Sequence, residues 1–481
     1  MKILFVTPEC APMVKTGGLG DVSAALPRAL AQRGCDVAIL MPAYGDMRVE
    51  GTLAATLTLP ADGRWPAAQL LHVVPADGPP LLLLSCPALY GSAATPYSNP
   101  GDADGHLQAL RFGLLAQVAA RIGSRDTPCG WQADVVHAND WPCGLAPLYL
   151  HQRREAGDAT AARSVMTIHN LAFQGVFPMD AAGMLGIHPV HRGIEGVEYW
   201  GQLSMLKAGL QFADAITTVS PTYAREIQEP ELGFGLDGVL RARADRLHGL
   251  INGIDTAVWN PGTDPLIHAA YGPDDLGPKA VNRAALRRHC GLADSDGPLF
   301  GFVGRLTSQK GLDLVLQGSA HLLSQGGQLV VLGKGDPDLE QAVWALALAH
   351  PGQVYASVAF DETLAHRIEA GADCFLMPSR FEPCGLNQMY SLAYGTPPLV
   401  TPTGGLADTV TDADAARAEG TGFVMDAVTQ SAYEAALDRV FSAWEDRPGW
   451  QRLQQRGMLR DHGWDSAARP YVSLYQALIE G

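Results

Sequence analysis

Apolar positions in this chain fall in short runs that alternate with longer amphipathic stretches. Residues 3–7 read as a buried strand, 21–33 as a helix and 36–41 as a second strand. Pro27 lies inside that helix, where it removes a backbone donor and predicts a kink. Later strands are expected at 134–137, 165–169, 215–219 and 250–251. Ser220-Pro221 has the form of an N-cap followed by proline at the first helical position.

The pattern restarts after a stretch rich in Pro, Gly and Asp at 260–277. Strands are then expected at 299–303, 329–332 and 374–377, with helices at 311–323, 338–349, 363–370 and 386–394. Strands alternating with helices predict an α/β fold with parallel sheets, and the restart predicts two such domains in tandem. The tail at 464–479 reads as an amphipathic helix that the pattern allows on either domain. Residues 16–21 (Thr-Gly-Gly-Leu-Gly-Asp) and 403–408 (Thr-Gly-Gly-Leu-Ala-Asp) echo one another, so each domain is expected to present a glycine-rich turn before a helix.

Composition narrows the function. Across 481 residues, 34 Lys and Arg stand against 50 Asp and Glu, a net charge of −16. That balance argues against a nucleic-acid partner, although a few local cations can still hold a small anion. Eight cysteines form no C-x-x-C and no dense cluster, which argues against a disulfide scaffold or a zinc ribbon and for reduced thiols in the cytoplasm. No apolar run reaches the ~18 residues that span a bilayer, so no membrane partner is expected. The chain opens directly on a strand pattern with no signal or transit segment before it.

Candidate chemistry sits where strands end. Lys15 stands at the mouth of the loop holding Gly17, Gly18 and Asp21, where backbone N–H groups and a helix N-terminus favour a phosphate. The loop is neither G-x-G-x-x-G nor a P-loop, so dinucleotide and P-loop readings lose support. Arg305 and Lys310 follow the strand at 299–303, and these residues fit either a diphosphate site or a solvated loop. Glu382 follows the strand at 374–377, placed to accept sugar hydroxyls or simply to favour a helix start. Two polar clusters, 137–141 and 168–170, end successive strands of the first domain. Three D-x-D pairs occur, Asp102/Asp104, Asp294/Asp296 and Asp412/Asp414, all in polar loop or helix-start contexts that favour a structural role over metal binding. No metal is expected, since Arg305 and Lys310 can neutralise a diphosphate themselves.

In this order the motifs resemble the bacterial glycogen synthases and plant starch synthases. They are Lys15-Thr16-Gly17-Gly18-Leu19-Gly20-Asp21, 137–141, His169-Asn170-Leu171-Ala172-Phe173-Gln174-Gly175, 219–227, Asn252-Gly253-Ile254-Asp255, 305–311 and 379–386. The resemblance covers essentially the whole chain. It implies the GT-B architecture, two Rossmann-like domains facing across a cleft. Residues 1–255 would form the first domain, 256–461 the second, and a last helix at 462–481 would return to the first.

It also implies a retaining transfer of glucose from ADP-glucose to the non-reducing end of an α-1,4-glucan, with release of ADP and no cofactor. By the same resemblance, Lys15 and its loop, with Gly17, Gly18 and Asp21, bind the donor diphosphate and sugar. Arg305 and Lys310 stabilise the departing ADP. Glu382, the backbone of Cys384, Gly385 and Leu386, and His169 and Asp140 hold the glucose. Phe360 lies against the adenine, Tyr97 on the acceptor side, and Asn252, Thr403 and Gly404 complete the substrate-binding set. Two other classes stay open on the residues alone. A glycoside hydrolase needs a flanking carboxylate pair, and Glu382 and Asp140 show no evident pairing. A glucan-binding protein needs neither the two cations nor the two glycine loops. Choice of ADP over UDP rests on the resemblance, because either base can stack on an aromatic, and the oligomeric state is left open.

Overall fold

The computed structural model describes residues 1–45, 47–93, 95–97, 102, 105–413 and 418–481. The chain divides into two compact units, Met1–Gly253 with Trp464–Gly481, and Ile254–Gly463.

Unit 1 is built on a nine-stranded sheet. Its strands are β1 (Lys2–Val6), β2 (Asp36–Pro42), β3 (Thr52–Leu59), β4 (Ala68–Val74), β5 (Leu81–Ser85), β6 (Val135–Asn139) and β7 (Arg163–Ile168). A small antiparallel sheet of β8 (Val176–Phe177), β9 (Glu198–Tyr199) and β10 (Gln202–Ser204) intervenes before β11 (Ala215–Thr218) and β12 (Leu247–Gly249) rejoin the large one. The order is β12-β11-β7-β6-β1-β2-β5-β4-β3. All neighbours run parallel except β3–β4 and β4–β5. β1 pairs with β2 through Ile3–Val37 and with β6 through Ile3–Val135. The chain therefore leaves β1 to one side and returns to its other side at β6. That reversal opens a crevice beyond the carboxyl ends of β1 and β6, the usual ligand position in open α/β sheets.

The tail is the helix Trp464–Glu480, and it packs in unit 1. Trp464, Ala468, Tyr471 and Tyr475 share a core with Ile3, Phe5, Val22 and Leu26. The Tyr475 hydroxyl also meets Nδ1 of the buried His137 at 2.7 Å.

Unit 2 is a fully parallel six-stranded sheet. Its strands are β13 (Leu299–Val303), β14 (Gln328–Leu332), β15 (Val354–Ser357), β16 (Cys374–Met377), β17 (Pro398–Val400) and β18 (Phe423–Val424), in the order β15-β14-β13-β16-β17-β18. Phe300, Phe302, Leu329, Val331 and Leu376 pack under Tyr433, Leu437 and Trp444 of the helix Gln430–Glu445. The reversal of strand order here falls between β13 and β16.

Three local expectations change. The strand expected at 250–251 lies at Leu247–Gly249, in register with Ile216–Thr218. The helix expected over 311–323 is two, Leu312–Gln317 and Ser319–Ser324, joined at Gly318. A Cβ on Gly318 would lie 2.6 Å from the Tyr433 ring, so glycine there admits the ring. The first helix starts at Gly18, three residues before the expected Asp21, because Gly17 is already its N-cap. Among the described residues no helix is long and apolar enough to cross a membrane, and all eight cysteines are free thiols.

Candidate functional site

In unit 2, the loops leaving β13 and β16 meet at the reversal of strand order. Lys310 closes the first loop and Glu382 lies in the second. Their side chains form an ion pair, Nζ to Oε2 2.5 Å, with only 19% and 7% exposure. Ser379 Oγ donates to the same carboxylate oxygen at 3.1 Å. Sequence reasoning gave these two residues separate tasks, leaving group and sugar; the fold joins them.

The join is made by residues to which sequence reasoning gave no role. Arg380 N donates to Gln309 O at 2.8 Å, and the Arg380 guanidinium grips Asp313 through two bonds of 2.7 Å. Gln309 Nε2 reaches Phe381 O at 3.2 Å, and Asn387 Nδ2 reaches Val303 O at 2.8 Å. Gly311, at φ +70°, lies so near the β16 exit that a Cβ would sit 1.9 Å from Pro378 O. Only glycine satisfies both that contact and that backbone.

Arg305 is the exposed cation of the pair, touching Gln309 Oε1 at 3.1 Å. It does not share Lys310's partner. Cys384 is buried, and Gly385 takes φ +71° ahead of Leu386 and the helix Asn387–Ala393. Thr403 is buried and caps the helix Gly404–Thr409 through its backbone position. A Cβ on Gly404 (φ +44°) would lie 1.9 Å from Glu382 O, and one on Gly405 would lie 2.0 Å from Cys384 O. These glycines let the third loop close against the loop that carries Glu382. Phe360 follows β15 and is 85% exposed, an aromatic with no core to serve.

In unit 1, the loops leaving β1, β6 and β7 carry the remaining candidates. Asp140 follows β6 with φ +54° and ψ 178°, a region normally kept for glycine. A side chain held there costs of order 1–3 kcal/mol and is found chiefly at functional sites. Its Oδ1 accepts from His169 N at 2.7 Å. Burial pushes the Asp140 carboxyl up to about 7, with backbone donors from His169 and Asn170 opposing.

The His169 ring touches Asn139 Oδ1 at 2.9 Å. Asn139 Nδ2 donates to Val6 O, which turns its oxygen toward His169, so the imidazole Nε2 carries the proton. Burial lowers His169 to about 3, keeping the ring neutral. His137, also lowered to about 3 by burial, is spent on Thr167 and Tyr475 and belongs to the core.

Lys15 Nζ lies 2.8 Å from Asp21 across the first turn of the helix Gly18–Gln32. That pair is half-exposed, and such pairs are weak enough to exchange partners. Glu9, which sequence reasoning missed, is buried beneath the loop and accepts from Thr16 N at 2.7 Å and from its hydroxyl. Its only sequence signal is its place in the loop that follows β1. Gly17, the N-cap, is extended, with nothing within 4 Å of a Cβ built on it. Asn252 is buried with Oδ1 unpartnered.

Tyr97 stands 6.2 Å from the Trp141 ring. Trp141, Phe173, Tyr199 and Phe234 wall a cavity of about 450 Å³. Of these, only Trp141 and Phe173 fell within the quoted motifs.

Three of the D-x-D residues serve structure. Asp102 accepts from Leu107 N and Gln108 N, Asp412 is gripped by Arg439, and Asp296 accepts from Trp444 Nε1 through its backbone oxygen. Asp104 and Asp414 lie outside the described residues.

The starch synthase catalytic domain family matches residues 2–242, and the glycosyl transferases group 1 family matches 288–455. A glycogen synthase of Paracidovorax citrulli is 64% identical over 99% of this chain and 95% of its own length. The chain belongs to the glycogen and starch synthase family of glycosyltransferases. A glycogen synthase of Dechloromonas aromatica is 50% identical, covering 100% of this chain and 99% of its own. Among solved structures, the catalytic domain of starch synthase IV from Arabidopsis thaliana, bound to ADP and acarbose, aligns with a TM-score of 0.89 and 31% identity over 100% of this chain and 99% of its own. The fold is thus the two-domain GT-B fold of that family, and the Rossmann-like units above are its halves.

Proposed function

We propose that this enzyme transfers glucose from ADP-glucose to the non-reducing end of an α-1,4-glucan such as glycogen, with retention of configuration and release of ADP. The observation that carries this reading is the Lys310–Glu382 pair beside Arg305 at the strand reversal of unit 2. It sets a cation and a carboxylate together where a sugar diphosphate would place its phosphates and hydroxyls. Negative charge grows on the ADP phosphates as the glycosidic bond breaks, and preplaced cations stabilise that charge most in the transition state. Arg305 and Lys310 supply the charge, so the reading calls for no metal or cofactor.

Lys310 is held by Glu382, which fixes its ammonium before the donor arrives; Arg305 is exposed and able to turn onto the phosphates. Phe360 offers its open face to the adenine. In unit 1, neutral His169 with Nε2 committed to Asn139 leaves Nδ1 as an acceptor for a sugar hydroxyl. Lys15 is able to exchange Asp21 for a phosphate, and the aromatic cavity with Tyr97 and Trp141 suits the apolar faces of glucan rings. Capture of the Arabidopsis relative with ADP and acarbose supports both a nucleotide and a glucan-like ligand. Unpaired thiols, seven of them buried, support a cytoplasmic location. The test is incorporation of labelled glucose into glycogen from ADP-glucose and, in parallel, from UDP-glucose. Incorporation from ADP-glucose supports the reading. Release of free glucose without a nucleotide, or equal use of UDP-glucose, refutes it.

A further inference from the structure

His151 and Glu155 lie one turn apart on one face of the helix Leu145–Glu155. Facing them is His191, the last residue of the turn Pro189–His191. His191 Nε2 is 2.9 Å from one oxygen of Glu155, and His151 Nε2 is 3.3 Å from the other. One ligand atom from each of the three lies within 4.8 Å of the others. A tetrahedral zinc ion with bonds of about 2.0–2.1 Å separates its ligand atoms by about 3.3 Å, so only small side-chain adjustments are required.

The groups are held in place. The Phe212 ring packs 4.9 Å from His151 and 5.0 Å from His191, so both imidazoles rest on one apolar support. Gln152 ties the opposite segment to the helix, accepting from His188 N at 3.0 Å and donating to Gly186 O at 3.2 Å. The Tyr149 hydroxyl adds a bond to Leu185 O at 2.6 Å.

We infer that His151, Glu155 and His191 form a zinc site, two imidazoles and one carboxylate with water in the fourth position. It is separate from the transfer site. The helix begins just after the Asp140 turn and carries Glu155 to its far end, about 15 Å away at 1.5 Å per residue. The ion touches no reacting group. It clamps the 185–191 segment onto the helix.

The test uses the full chain, freed of metal with a chelator. Zinc chloride is titrated calorimetrically into the wild type, His151→Ala and Glu155→Gln, and thermal midpoints are read with and without zinc. Both substituted residues are at least partly exposed, and His191, the buried one, stays intact. One equivalent should bind the wild type and raise its midpoint, because an ion that binds only the folded state stabilises it by mass action. Each variant should bind that equivalent at least about a hundredfold more weakly, since losing even an outer partner costs 10–100-fold. Each should also lose the zinc-dependent rise in midpoint. Absence of stoichiometric binding to the wild type, or undiminished binding by either variant, overturns the proposal.

Discussion

Replacing Lys310 by Met tests the central contact of the proposed site, and the structure sets the size of the effect. At 2.5 Å and 7% exposure of the carboxylate, the attraction at an effective dielectric of about 20 is roughly 6–7 kcal/mol before desolvation. The net cost of breaking a buried pair by removing one partner is smaller, about 3–5 kcal/mol, because the surviving charge must be solvated or protonated. Ser379 still donates to Glu382, so the lower end, about 3 kcal/mol, is expected. For a unit of 210 residues, from Ile254 to Gly463, that lowers the melting transition by roughly 6–12 °C. Glu382→Gln in the same background removes the stranded charge, so the double variant should melt well above the sum of the single losses. Calorimetry supplies these midpoints, and glucose incorporation from ADP-glucose supplies kcat. In activity, Lys310→Met should cost about 10²–10³ in kcat, the usual loss on removing one donor to developing charge. Strictly additive melting losses would show that the pair contributes nothing. A near-normal kcat in the folded variant would remove Lys310 from the transfer step.

Arg305 is exposed, so Arg305→Ala should keep the wild-type midpoint while kcat falls about 10²–10³, and Arg305→Lys should recover only part, lacking the bidentate fork; an unchanged kcat would make it a surface charge. Asp140 titrates at about 7 when folded against 3.8 ordinarily, so its contribution to stability is complete below 3.8 and is lost as pH rises through 7. The midpoint of Asp140→Asn should therefore fall less than the wild type's between about pH 5 and about pH 8, and parallel curves would show that Asp140 does not titrate there. Phe360→Ala should leave the midpoint unchanged, since the ring is 85% exposed, yet raise the ADP-glucose KM by about 2–10-fold, the worth of one aromatic stack; an unaltered KM would place the adenine elsewhere. Gly17→Ala should destabilise by about 0.5–1 kcal/mol, the loss of a favourable N-cap, and raise the donor KM besides; a normal KM would clear that loop of donor contact.

Much of the frame was legible because parallel strands buried on both faces announce themselves as apolar runs. Leu299–Val303 and Cys374–Met377 match their expected ranges, and Ser220 caps its helix by accepting from Tyr223 N. What the pattern hid has physical reasons. β3 is exposed along nearly its whole length, and its Thr-Leu alternation is interrupted at Ala54-Ala55, where its pairing with β4 shifts register. β5, Leu81–Ser85, is as apolar as a membrane segment and was legible only as one that is too short. Chemistry-bearing residues were visible singly, by type and by their place after strands. Their partners were not, because pairing depends on strand order, and strand order is not written locally. Nothing near Lys310 in sequence points to Glu382, 72 residues away. The reversal between β13 and β16 brings them together.

The two Thr-Gly-Gly-Leu loops show how one sequence signal stands for two physical demands. Around residue 404 the glycines answer to the protein itself. A Cβ at Gly404 or Gly405 would collide with the backbone of the Glu382 loop at 1.9–2.0 Å, and Gly404 needs a positive φ besides. In the first loop a Cβ on Gly20 would press on Lys15 at 3.2–3.3 Å, but at Gly17 the protein makes no such demand. Gly17 is extended, a conformation open to any residue, and a Cβ there meets nothing. Glycine is favoured there as the N-cap, and on the proposed function the bare backbone also admits a ligand closely. Helix N-terminal N–H groups beside Lys15 make an anion the natural visitor. On the proposed function the first loop is left open for its ligand, whereas the second is shaped by its neighbour, and only coordinates separate the two.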